Sequence, residues 1–84
     1  MAIPEALFQT LTTELQDQYK NINLKFSYHP DTLELIFNVQ NTSNGVSFTD
    51  VYSEREFYET QVEPEYRFKS IFSNLIRQAG GRLK

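Results

Sequence analysis

The sequence predicts an α+β fold: a two-layer sandwich of order α-β-β-β-(short α)-α, with a three-stranded antiparallel meander and helices packed on one face. Three observations carry this. Apolar residues recur at spacings of three and four over residues 4–19 and again over 64–79, the mark of an amphipathic helix. Between these stretches the pattern switches to alternation, the mark of a half-buried strand. Short, turn-like stretches join the alternating segments, and short connections favour neighbouring antiparallel strands. One apolar sheet face and two apolar helix stripes are then most economically buried against each other.

The first helix spans residues 4–19. Pro4 suits the first helical position, where its missing N–H removes no bond. Ile3, Leu7, Phe8, Leu11, Leu15 and Tyr19 form the stripe, while Glu5, Thr12, Asp17 and Lys20 lie off it. In residues 21–28, Ile22, Leu24, Phe26 and Tyr28 alternate with Asn21, Asn23, Lys25 and Ser27. His29-Pro30-Asp31-Thr32 supplies a turn, with Pro30 fixing φ at its second position. Leu33, Leu35, Phe37 and Val39 then alternate with Glu34, Ile36, Asn38 and Gln40 as a second strand. Asn41-Thr42-Ser43-Asn44-Gly45 is a loop whose Asn-Gly pair tolerates positive φ. Val46 to Tyr52 reads as a third strand, with Asp50 interrupting the apolar set of Val46, Phe48 and Tyr52.

Ser53-Glu54-Arg55-Glu56 matches a capping box, which predicts a short helix over 54–61, with a fourth strand as the alternative. Pro64 opens the last helix, striped by Phe68, Ile71, Phe72, Leu75, Ile76 and Ala79, and Gly80-Gly81 ends it. The expected core joins Leu11, Leu15, Phe26, Leu35, Phe37, Phe68, Phe72 and Leu75.

A chain of 84 residues supports one domain, 1–84, with 80–84 expected as a flexible tail. Its seven Phe and five Tyr, with no Trp, have to carry the core. The absence of cysteine excludes a disulfide scaffold, a thiolate metal site and a cysteine nucleophile. Secreted domains this small usually need covalent staples, so a cytoplasmic home is expected. No apolar run approaches the length of a membrane span. Met1-Ala2-Ile3-Pro4-Glu5 lacks the basic-then-apolar order of a signal peptide.

The net charge of −3 is unevenly distributed. Residues 1–65 hold all eleven acids and only Lys20, Lys25 and Arg55, a net −8; residues 66–84 hold Arg67, Lys69, Arg77, Arg82 and Lys84 and no acid, a net +5. The chain therefore has an acidic body and a basic end.

Two short resemblances bear on function. Tyr28-His29-Pro30-Asp31 resembles the tripeptide, with its preceding tyrosine, that J-domain co-chaperones place between two helices. Here the flanks alternate with period two, and a proline turn between strands explains the same residues. The order α-β-β-β-α is similar to that of double-stranded RNA-binding domains, whose last helix begins with a phosphate-gripping lysine cluster. Here that position reads Glu63-Pro64-Glu65-Tyr66-Arg67, which would repel phosphates.

The leading candidate site is the acidic stretch 50–66. Asp50, Glu54, Glu56, Glu59, Glu63 and Glu65 are interleaved there with Tyr52, Phe57, Tyr58 and Tyr66. An aromatic patch in an acidic rim is what a protein-binding surface looks like. The partner-binding set is Asp50, Glu54, Glu56, Phe57, Tyr58, Glu59, Glu63 and Tyr66, facing a protein with a basic surface. The same acids could mimic nucleic-acid phosphates and block a basic groove. If Phe57 and Tyr58 both point inward, the stretch is merely a solvated loop and cap. The alternative site is the basic set Arg67, Lys69, Arg77, Arg82 and Lys84, for nucleic acid. On a helical wheel Arg67, Lys69 and Arg77 spread around the polar face, and cations near a helix C-terminus also offset its dipole. One histidine, no cysteine, no clustered metal ligands and no glycine-rich phosphate loop leave no catalytic set. The expectation is a non-catalytic interaction domain without cofactor, acting alone or as a homodimer.

Overall fold

The computed structural model describes residues 3–84. The reading of the chain's start includes Met1 and Ala2, which lie outside them. The order is α1 (Glu5–Asp17), β1 (Ile22–His29), β2 (Glu34–Asn41), β3 (Ser47–Ser53), α2 (Glu54–Tyr58) and α3 (Pro64–Ala79). The sheet is an antiparallel meander in the order β1-β2-β3. Phe26 stands opposite Phe37 in the first pair, and Phe37 opposite Asp50 in the second. The face shared by Ile22, Phe26, Leu35, Phe37 and Val39 is buried beneath the helices. The other face carries Asn23, Lys25, Ser27, Asn38, Gln40 and Thr49, with Ile36 paired to Val51.

Phenylalanines weld the layers. Phe37 of β2 is ringed by Phe26, Tyr52, Phe57, Phe68 and Phe72, at centroid distances of 5.2–6.3 Å. Phe68 of α3 stacks on Phe8 of α1 at 4.5 Å, joining the two long helices above the sheet. Every residue of the expected core is buried, and Phe8, Ile22, Val39, Phe57, Ile71, Ile76 and Ala79 join it.

The free edge of β1 is closed by α1. Gln16 donates from Nε2 to the Ile22 carbonyl (2.6 Å) and accepts the Leu24 N–H (2.7 Å), while Gln9 donates to the Phe26 carbonyl (3.1 Å). Two glutamines one heptad apart thus satisfy backbone groups that would otherwise offer a pairing edge.

Element ends move by one or two residues, so that Pro4 caps α1 rather than opening it and Val46 lies exposed outside β3; three further local features differ from the sequence reading. Leu33 is not a strand residue: it closes the β1–β2 turn at φ +56° and is 52% exposed. Its carbonyl accepts the Glu54 N–H (2.7 Å), so the turn is docked onto the start of α2. The short helix α2 ends at Tyr58 rather than 61. Its capping box is formed on both sides, Ser53 Oγ accepting the Glu56 N–H and Glu56 Oε1 accepting the Ser53 N–H. Residues 80–84, expected as a flexible tail, are hydrogen-bonded to the domain. Lys20 N–H donates to the Arg82 carbonyl (3.1 Å), Lys84 N–H to the Gln18 carbonyl (2.9 Å), and Arg82 N–H to Asn21 Oδ1 (2.8 Å). The buried Asn41 donates to the Ala79 carbonyl (2.8 Å), anchoring the end of α3. Gly80 turns the chain at φ +78°, and a side chain on Gly81 would collide with Ile76, so the glycine pair is required where it stands.

Phe72 is fully buried against Phe37 and Phe68. Phe72→Ala is expected to cost about 3–5 kcal/mol in urea denaturation, much of the stability of so small a domain.

Candidate functional site

The topology turns the charge asymmetry of the sequence into a spatial one. Both long helices begin at the end of the molecule that holds the β1–β2 turn and α2, and both finish at the end holding the β2–β3 loop and residues 80–84. A 16-residue helix such as α3 is about 24 Å long, so it runs along the 37 Å axis of a body only 21 Å across. The first end carries Glu5, Asp31, Glu34, Glu54, Glu56, Glu59, Glu63 and Glu65 with Arg55, Arg67 and Lys69; the other carries Lys20, Arg77, Arg82 and Lys84 with Asp17. Acids at helix starts and cations at helix ends both suit the helix dipoles.

The eight acidic and aromatic candidates do not form one patch. Phe57 is a correction: it is 1% exposed, facing Phe8 and Phe37 inside the core. Its position in the capped turn of α2 aims it inward, so it cannot touch a partner. Glu54 is buried as well, accepting the Tyr28 hydroxyl at 2.9 Å, and belongs to the fold rather than to an open acidic rim. Glu56 is exposed, with its carboxylate engaged in the capping box. Asp50 is half-buried on the helix-facing side of β3, and Tyr58 is half-buried beside Phe57. Glu59 and Glu63 are exposed.

Tyr66 stands apart: it is 70% exposed, the most open of the large apolar side chains described. It lines a groove of about 530 Å³ between the starts of α1 and α3, together with Pro4, Leu7, Phe8, Glu63, Pro64, Glu65 and Lys69. Leu7, 39% exposed, supplies a second apolar contact. The helical spacing puts Leu7 on the buried stripe. Leu7 and Phe8 are adjacent, however, and a helix turns 100° between neighbours, so only one of them can face the sheet squarely; Phe8 does. A polar hollow of about 590 Å³ lies at the other end, lined by residues that include Lys20, Asn41 and Arg82, and a smaller one of about 300 Å³ is lined by Leu33, Glu54, Arg55 and Tyr58.

The basic candidates separate into three places. Arg67 lies over Tyr52 and Phe57, its guanidinium carbon 5.3 and 5.8 Å from the ring centroids. It serves as a cation–π cover for the core. Lys69 and Arg77, expected to diverge, line one shallow surface with Tyr66, Ser70, Ser73 and Asn74. Arg82 and Lys84 are exposed at the far end. Among the described residues no group of three or more His, Cys, Asp or Glu could hold a metal ion, and no helix is long and apolar enough to cross a membrane.

Partial burial, then the bond to Glu54 and the charges of Glu54 and Glu5, hold the Tyr28 phenol above the ordinary 10.0. Burial and the Glu54 charge push Tyr58 the same way. A raised folded-state value means that folding favours the neutral phenol. This contribution is complete below pH 10.0 and is lost as the pH rises through the folded-state values. Alkaline titration should show a late-ionising tyrosine class, and its ionisation should coincide with loss of tertiary circular dichroism. Tyr28→Phe should shrink that class.

Comparison with protein-family models, curated proteins and solved structures finds no match for this chain, so its function has to be argued from this surface.

Proposed function

We propose that this chain is a non-catalytic protein-binding domain whose contact surface is its acidic end, anchored by Tyr66 in the groove it shares with Leu7. The supporting observation is the exposure of Tyr66 above a groove with acidic residues at its rim. A tyrosine buries large area at small conformational cost, and exposed carboxylates around it select a basic partner and speed encounter. Glu59, Glu63 and Glu65 supply those charges; Phe57 and Glu54 support the surface from within. The fitting partner presents an apolar side chain flanked by cations.

A second reading draws on the stripe of Tyr66, Lys69 and Arg77 along α3, where an aromatic and two cations share a face. Such a face suits a nucleic-acid strand. Two cations in line, next to an acidic end, offer few phosphate contacts, so the protein-binding reading is preferred.

The test is capture from a lysate of the source organism by the immobilised chain and by Tyr66→Ala, at two salt concentrations and with nuclease. The expected result is a nuclease-resistant protein retained by the native chain and weakened by about 1–3 kcal/mol in the variant. The variant's melting temperature should be nearly unchanged. Equal capture by both chains contradicts the role of Tyr66, and loss of the captured material on nuclease treatment favours the second reading.

A further inference from the structure

We propose that the occupant of the Tyr66 groove is the basic end of a second copy of this chain, so that copies join head to tail; this rests on reading the groove as a protein-binding site. That groove calls for an apolar side chain with cations on either side. The opposite end of the same molecule offers the parts: Leu83 is 65% exposed, and its neighbours in sequence, the long cations Arg82 and Lys84, are exposed too. It is held in place rather than loose. The Arg82 carbonyl accepts the Lys20 N–H at 3.1 Å, Lys84 N–H donates to the Gln18 carbonyl at 2.9 Å, and Tyr19 pairs with Leu83 in a β-bridge. An anchor already ordered by the fold gives up little conformational freedom on docking.

Charge supports the same pairing. The groove has Glu63 and Glu65 on its lining and Glu5 in the adjoining first turn of α1, against the single cation Lys69, so it remains net negative. Arg82 and Lys84 of an incoming copy would meet these carboxylates as Leu83 enters between Leu7 and Tyr66. Two like ends repel, whereas unlike ends attract, so electrostatics selects a head-to-tail arrangement over a symmetric one. The two surfaces lie at opposite ends of a 37 Å axis, so one chain cannot satisfy its own groove. A contact between different patches is heterologous, and each added copy leaves a free groove and a free basic end. The remaining edge of the sheet, β3, is a poorer route. Asp50 sits near its middle on the helix-facing side, and symmetric antiparallel pairing there would bring two Asp50 carboxylates close together.

Sedimentation analysis of the whole chain, up to about millimolar concentration and at about 0.02 M and 0.3 M salt, tests this. The native chain should form a concentration-dependent series extending past the dimer at low salt, weakened about tenfold or more at high salt. Tyr66→Ala and Leu83→Ser alter exposed side chains, so both should keep the native circular dichroism and melting temperature. Each alone should sediment as a monomer. Their equimolar mixture should form a dimer and nothing larger, because the intact groove of one accepts the intact basic end of the other and the remaining surfaces are both disabled. A native chain that stays monomeric at low salt overturns the proposal, as does association that survives in either variant. A monomeric native chain whose lysate partner is still lost with Tyr66→Ala overturns the second copy as occupant while leaving the groove a protein-binding site.

Discussion

The fold depends on the packing of phenylalanine rings around Phe37 and Phe68. Phe37 projects from the central strand and meets Phe26 from β1, Tyr52 from β3, Phe57 from α2, and Phe68 and Phe72 from α3. Phe68 then carries the contact to Phe8 and so to α1. Every element therefore touches this cluster or a ring next to it. In a domain of this size without cysteine, no disulfide can substitute for such packing. Edge-to-face and offset pairs add to the area term, and they hold the layers in one mutual orientation.

That orientation sets the surface. Seating Phe8 and Phe68 together places α1 and α3 with their starts at the same end, opening the groove that Leu7 and Tyr66 line. Most of the carboxylates gather at one end of an elongated body, and Lys20, Arg77, Arg82 and Lys84 gather at the other. The helix dipoles favour the same distribution, so the polarity that supports the fold also leaves the surface with two chemically different ends.

Much of the fold is legible in the sequence because the change from helical to alternating period is clean. Phe26, Leu35, Phe37, Phe68 and Phe72 fall on their faces by spacing alone. Other features depend on contacts between distant residues. Leu33 continues the alternation of β2, yet the turn needs it to close, and its carbonyl is taken by the Glu54 N–H. Gln9 and Gln16 look like ordinary polar helix positions until β1 runs beneath them. Residues 82–84 look like a tail because their partners, Gln18, Lys20 and Asn21, lie some sixty residues away in sequence. The candidate site was legible in part. Tyr66 lies off the stripe of Phe68 and Phe72 and is exposed as that implies. Phe57 follows a capping box, and the inward aim of that single turn depends on where β3 delivers it.

The most direct test of this dependence is a double-mutant cycle between Phe37 and Phe68, whose ring centroids are 5.3 Å apart. Phe37→Leu, Phe68→Leu and the double variant would be compared by urea denaturation. If the ring pair organises the fold, the two single losses should be non-additive, with a coupling of about 0.5–1.5 kcal/mol. Strict additivity would mean that the two rings contribute only independent buried area, and it would contradict the central place given to their contact.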